Sequence, residues 1–122
     1  MWKLLLACLL AVAMGQIHIS DLGGFPHTYI GEYHFEYDDG ANIVIIMSEM
    51  ECFIVEAPDA TWDNLFRNAQ ELYPVGQAIV KKIEAKTGLH KITLAESVST
   101  YHSRLEELQC KFMPIYVVPF TA

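Results

Sequence analysis

The sequence has few basic side chains and none of the short patterns that catalysis usually requires. It holds 8 lysine and arginine residues against 15 aspartate and glutamate residues, for a net charge of −7. Nucleic acids and anionic membranes attract the opposite charge, which argues against both as partners. The chain has no nucleophile-elbow serine and no glycine-rich phosphate loop, so nothing in it supports an enzyme or a bound cofactor.

Metal-ligand spacings, glycosylation acceptors and membrane-length apolar runs are also missing. The five histidines share no spacing such as His-x₃-His, so we expect no metal site. No Asn-x-Ser/Thr acceptor occurs, so we do not expect N-glycosylation. The apolar run at residues 4–13 is shorter than the roughly 20 residues that cross a bilayer.

The first fifteen residues, "MWKLLLACLLAVAMG", are typical of a secretory signal peptide. A lysine precedes the apolar run, and small residues at Ala13 and Gly15 suit cleavage before Gln16. A short anchor or a core helix is the alternative interpretation. Cleavage predicts a secreted, extracellular protein that passes through the endoplasmic reticulum and keeps no membrane span. We interpret residues 16–27, with two glycines and a proline, as a flexible lead-in to one domain at residues 28–122.

Cysteine is scarce, and its count is informative once the predicted signal peptide is removed. Only Cys52 and Cys110 then remain. An even number of cysteines in an oxidising compartment favours a single disulfide. Two free thiols, or a pair between two chains, are the alternatives.

Three strands are expected in the first half of the predicted domain. Residues 28–37 alternate aromatic and polar side chains, which is typical of a strand with one polar face. The run at residues 43–47 is apolar on both faces, which predicts a central strand covered on both sides, and residues 52–57 predict the third strand. Such segments also pair readily with other chains when exposed.

Helical spacing alternates with two further strand patterns in the second half. Residues 61–73 predict an amphipathic helix that Pro74 ends, and residues 75–88 suit either a short helix or a mobile loop. A strand is expected at residues 89–95 and a helix capped by Ser97 or Ser99 after it. The two prolines of "PIYVVPF" predict a last strand that lies at an edge or ends early.

These elements predict an α+β fold. The expected order is β-β-β-α-β-α-β, with a five-stranded, mainly antiparallel sheet. One helix on each face would cover the strands that are apolar on both sides.

Asp38 and Asp39 follow directly on the tyrosine-rich strand. Aspartate is common in turns because its side chain bonds the nearby backbone. The alternative is a partly buried carboxyl that titrates as the conformation changes.

Two segments resemble the BRICHOS domain family. "EYDDGANIVIIMSEMECFIVEA" is similar to the opening of that domain, with an aromatic, an aspartate, an aliphatic strand and a cysteine followed by apolar residues. "SRLEELQCKFMPIYVV" is similar to its closing segment, with a helix that ends in cysteine and a Pro–aliphatic–Tyr strand. The resemblance covers residues 28–120.

The resemblance implies a chaperone-like activity, in which the domain binds extended, β-prone hydrophobic segments and prevents their aggregation. It also implies that Cys52 and Cys110 form the family disulfide. Asp38, directly after the tyrosine, matches the family aspartate better than Asp39, which would shift the register by one. Family members usually are membrane-anchored or carry their client in the same polypeptide. Here a predicted signal peptide replaces the anchor and the lead-in is too polar for a client, so we expect a client in trans.

We expect clients to lie on a sheet face beneath the helix at residues 61–73. The side chains assigned to this role are Tyr33, Phe35, Ile43, Ile45, Trp62 and Phe66. The alternative function is that of a secreted precursor cut near Lys81-Lys82, or of a carrier for a small apolar ligand. The sequence leaves open whether the chain forms a homo-oligomer.

Overall fold

The computed structural model describes residues 25–122, so the predicted signal peptide and residues 16–24 lie outside the described part. The fold is α+β, as expected, with six strands and four helices among the described residues. In chain order they are β1 (His27–Ile30), β2 (Tyr33–Asp38), β3 (Ile43–Met47), β4 (Cys52–Glu56), α1 (Thr61–Leu65), α2 (Ala69–Ala85), β5 (His90–Ile92), α3 (Leu94–Tyr101), α4 (Arg104–Gln109) and β6 (Ile115–Val117).

The strands form one mixed sheet in the order β1-β2-β3-β4-β6-β5. All neighbours are antiparallel except β4 and β6, which are parallel. The expectation of a mainly antiparallel sheet is confirmed, but the expected number of five strands is wrong. The last strand also lies inside the sheet and not at its edge, because β5 pairs with its outer side.

The sixth strand arises because residues 28–37 form a hairpin and not one strand. Gly31 has a φ of 63° and, with Glu32, makes a two-residue turn between β1 and β2. Glycine at the first position of such a turn is typical of a hairpin, since it adopts this backbone at little cost. The surrounding alternation of side chains continues through the turn and hides it in the sequence.

The two central strands, β3 and β4, are buried on both sides, as the sequence predicts for β3, and they divide the core into two clusters. Val44, Ile46, Phe53 and Val55 belong to the larger cluster, which also takes in side chains of α1 and α2. We call this side of the sheet the first face. Alternate residues of the same strands belong to a smaller cluster with side chains of α3 and α4, on what we call the second face.

The predicted helix at residues 61–73 is interrupted at its middle. Asn68 has extended backbone, and its side-chain oxygen accepts from the N–H groups of Gln70 and Glu71, so a new helix, α2, begins there. Pro74 therefore does not end a helix, as expected, but lies in the second turn of α2. It removes one hydrogen bond to the carbonyl of Gln70, which is exposed and available to water. Residues 75–85 are helical, so of the two alternatives for that segment, a short helix or a mobile loop, the helix is correct.

Two short helices replace the single helix expected after β5. Thr93 begins α3 with a capping box, in which Thr93 Oγ1 accepts from the N–H of Glu96 and Glu96 Oε1 accepts from the N–H of Thr93. His102 has a φ of 53° and ends that helix, and Ser103 caps α4. The expectation that Ser97 or Ser99 caps this segment is wrong, since both lie inside α3.

Candidate functional site

The structure brings together four of the six side chains assigned to client binding. Tyr33, Phe35, Trp62 and Phe66 all belong to the cluster on the first face. Ile43 and Ile45 belong to the cluster on the second face, so the expectation that all six share one face is wrong. The strand register explains the error: Phe35 pairs with Ile46, and neighbouring residues of β3 point to opposite faces.

Aromatic rings join α1 to the first face of the sheet. The Tyr37 and Phe66 rings are stacked with centroids 5.1 Å apart, and Trp62 lies edge-on to Phe120 with centroids 6.4 Å apart. Phe35 and Trp62 are buried. In this conformation Phe35 and Trp62 are therefore core residues, whereas Tyr33 and Phe66 are partly exposed at the margin of the cluster. A bound segment reaches Phe35 and Trp62 only if a covering helix moves.

The attachment of α1 is limited in extent. The helix has five residues, and its N-cap residue, Ala60, offers no side-chain hydrogen bond, so Asp59 Oδ1 accepts from the N–H of Thr61 instead. Tyr37 Oη donates to Asp63 Oδ1 at 2.8 Å, which ties the helix to β2. Burial and the adjacent Asp63 carboxylate raise the pKa of the Tyr37 hydroxyl, so it stays a donor at neutral pH.

The disulfide lies on the second face. Cys52, at the start of β4, and Cys110, directly after α4, are bonded with their Cα atoms 5.8 Å apart. Both residues are fully buried, and Met113 Sδ lies 3.8 Å from the sulfur of Cys52. The predicted pairing is present, and it fixes the end of α4 to a central strand.

Asp38 and Asp39 occupy different environments. Asp38 is 6% exposed, and its Oδ1 accepts from the N–H groups of Gly40 and Ala41 at 3.1 Å each. Ser103 Oγ donates to the other carboxylate oxygen at 2.6 Å. Asp39 is exposed. Asp38 closes the β2–β3 turn, as the turn interpretation expects, and it is also buried against the start of α4.

A second buried carboxyl was missed in the sequence. Glu106 is fully buried, and both of its oxygens lie within 3.0 Å of Ser97 Oγ, which also donates to the carbonyl of Leu94. Burial raises the pKa of Glu106, although the Ser97 hydrogen bond opposes the shift. A protonated Glu106 would donate to Ser97 Oγ while the serine donates to Leu94, which satisfies each group with one proton.

The patterns Thr93-x-x-Glu96 and Ser103-x-x-Glu106 were signals for this part of the fold. Serine or threonine followed three residues later by glutamate marks a helix start. They would have placed both helix starts correctly. They would not have shown that the Glu106 side chain bonds Ser97 and not the cap of its own helix.

The dibasic pair lies inside α2. Lys81 is exposed, whereas Lys82 is half-buried, donates to the carbonyl of Pro119 and lies over the Phe120 ring with its nitrogen 5.9 Å from the centroid. A protease that cuts there needs this part of the helix to unfold first.

Among residues 25–122, no three His, Cys, Asp or Glu side chains converge so that they could hold a metal ion. Within the same residues, no helix has both the length and the apolar character that crossing a membrane requires. Comparisons with protein-family models, with curated proteins and with solved structures gave no match to this chain.

Proposed function

We propose that the chain is a secreted, non-enzymatic, BRICHOS-like protein that binds extended, β-prone hydrophobic segments in trans and prevents their aggregation. The observation that carries the proposal is the meeting of Tyr33, Phe35, Trp62 and Phe66 in the cluster on the first face, where Trp62 is supplied by a helix of only five residues. An apolar face covered by a short element offers a surface for an extended apolar peptide when that element moves.

The disulfide supports the same proposal. It holds α4 on the second face, whereas no disulfide joins α1 or α2 on the first face to the sheet. The family disulfide and the family aspartate, Asp38, would thus keep the domain folded while the first face opens. Asp38 contributes through Ser103, which starts the helix that Cys110 ends.

A fibril-formation assay with an unrelated β-prone peptide tests the proposal. We expect the wild-type chain to delay fibril growth at substoichiometric concentration. No delay at equimolar protein would contradict the proposed function.

Two matched variants test which face is involved. Tyr37→Phe removes the 2.8 Å hydrogen bond that ties α1 to the sheet, and Tyr101→Phe removes an equally short bond from α3 to Glu56 on β4. Because only the first change loosens the first face, we expect Tyr37→Phe to lengthen the delay and Tyr101→Phe to leave it unchanged. Equal effects of both variants would contradict a role for the first face.

A further inference from the structure

The outer edge of β1 offers backbone groups for another strand. Among residues 25–122, β1 pairs only with β2. The N–H of Tyr37 donates to the carbonyl of Pro26, so these two residues form a hydrogen-bonded pair. In an antiparallel ladder every second pair is hydrogen-bonded, so the pairs of Thr28 and Ile30 with β2 are hydrogen-bonded too. Thr28 and Ile30 therefore direct their backbone groups toward β2, and His27 and Tyr29 direct theirs away from the sheet.

This edge lacks the features that usually protect an edge strand. No residue of β1 is charged, and the Tyr29 side chain is 69% exposed. The opposite edge, β5, is one residue shorter and carries Lys91 at its centre. Short length and a central lysine are the common means of preventing strand addition, so the two edges differ in the way expected if only β1 accepts a strand.

A groove runs beside β1 on the first face. Two adjoining cavities of about 490 Å³ and 300 Å³ lie between β1 and the first part of α2, and Ile30 and Tyr73 line both. Gly76 allows the close approach of helix and strand, because a Cβ there would lie 2.1 Å from Ile30 Cδ1. A strand added to β1 would direct alternate side chains into this groove.

The charges at the groove favour an acidic ligand. Arg67 lines the cavity beside the start of β1, and Lys81 lines the cavity beside its end. Neither cavity is lined by an aspartate or glutamate, although the chain has 15 of them and a net charge of −7. An extended segment with carboxylates on both sides of an apolar centre complements this arrangement.

We propose that the edge of β1 binds an extended apolar segment flanked by acidic residues, as an added strand whose side chains enter the β1–α2 groove. This site deepens the proposed function and rests on it, since it names where a client attaches and which flanking charges it carries. The backbone groups of His27 and Tyr29 hold the strand, the groove takes alternate apolar side chains, and Arg67 and Lys81 select acidic flanks.

Charge selection is tested with two fluorescent peptides of alternating valine and threonine, one flanked by glutamates and one by lysines. Anisotropy titration should show about tenfold tighter binding of the glutamate-flanked peptide, because two peripheral ion pairs are exchanged for two repulsions. The variant Arg67→Glu/Lys81→Glu should reverse the preference. The matched control Arg104→Glu/Lys111→Glu changes the same charge at exposed positions outside the groove and should keep it. Equal binding of both peptides to the wild-type chain would overturn the proposal.

Backbone pairing is tested with Tyr29→Pro, which removes an outward N–H and leaves the ladder to β2 intact. We expect at least about fivefold weaker peptide binding, the scale of one backbone hydrogen bond. Tyr29→Ala keeps that N–H and separates its loss from the loss of the ring, and thermal melting confirms that both variants fold. Unchanged binding by Tyr29→Pro would overturn the proposal. So would a β1-mediated dimer of the wild-type chain that excludes the peptide.

The fibril assay separates failure of this site from failure of the proposed function. If Tyr29→Pro delays fibrils as well as the wild-type chain does, the function stands and the β1 site is wrong. If the wild-type chain gives no delay but binds the glutamate-flanked peptide, the site stands and the chaperone function is wrong.

Discussion

On the first face of the sheet, α1 and α2 cover the larger apolar cluster, whereas on the second face α3 and α4 cover a smaller cluster that contains the disulfide. The first face is rich in aromatic side chains and borders the groove at β1. The second face includes three buried carboxyls, Glu36, Asp38 and Glu106, and the last two are each bonded to a buried serine.

This difference is the reason that we propose the first face, and not the second, as the side of the sheet that receives a ligand. Moving α3 and α4 would expose buried carboxyls and displace residues next to the disulfide. Moving α1 exposes mainly apolar rings, which is the surface that a hydrophobic segment needs. The smaller cluster alone buries less apolar area, and the cross-link and the polar contacts make up for it.

Trp62→Ala tests the contribution of the first face and should have the largest effect. Loss of a buried tryptophan costs about 3–5 kcal/mol of the free energy of unfolding, measured by urea denaturation. The comparison substitution on the second face, Leu105→Ala, removes a half-buried side chain and should cost about 1–2 kcal/mol. Equal losses of unfolding free energy in the two variants would contradict the proposal that the first-face cluster contributes more to stability than the second-face cluster.

Cys52→Ala/Cys110→Ala tests the second face. We expect a loss of about 2–4 kcal/mol, because the unfolded chain gains freedom when a long loop is opened. Urea denaturation of the variant, beside the wild-type chain with and without reductant, measures it. An unchanged midpoint would mean that the second face is held without the disulfide.

Ser103→Ala tests the polar contacts of the second face. The hydroxyl caps α4 and donates to Asp38, so its loss should cost about 1–2 kcal/mol in thermal or urea unfolding. Ser99→Ala, at an exposed position of α3, is the matched control and should change stability by less than about 0.5 kcal/mol. Similar values for the two serines would contradict the role given to the buried contact.

Glu106→Gln should have a smaller effect that depends on pH. A raised pKa in the folded state means that the folded chain holds a proton the unfolded chain has released, so wild-type stability falls as pH rises from the ordinary glutamate pKa through the raised value. Glutamine has no charge to bury. The melting temperature of the Glu106→Gln variant should therefore exceed that of the wild type at pH 7 and approach it at pH 4. If the difference in melting temperature between the variant and the wild type does not change with pH, burial of the Glu106 charge does not reduce the stability of the wild type.

The central strands could be predicted from the sequence because their pattern is local. Residues 43–47 and the start of β4 at Cys52 match the structure, since continuous apolar runs between turn residues have few other solutions. The break at Gly31 could not be recognised from alternation, which a hairpin turn of two residues preserves. The placement of Ile43 and Ile45 on the second face depends on the β2–β3 register, and that register is set by the turn.

The arrangement of the C-terminal part depends on contacts between distant residues. The parallel pairing of β6 with β4 brings Ile115 beside Cys52, and no local pattern at either residue indicates it. The burial of Glu106 likewise depends on Ser97 in another helix. The capping patterns at Thr93 and Ser103 are local and mark both helix starts, but the apolar stripe that runs through this segment predicts one continuous helix.

Hydrogen exchange with and without the glutamate-flanked peptide tests most directly whether the first face and its β1 edge form the receptive side. We expect slower exchange at the amides of His27 and Tyr29 and in the first half of α2, with exchange in α3 and α4 unchanged. Slower exchange confined to α3 and α4, or no change at saturating peptide, would contradict it.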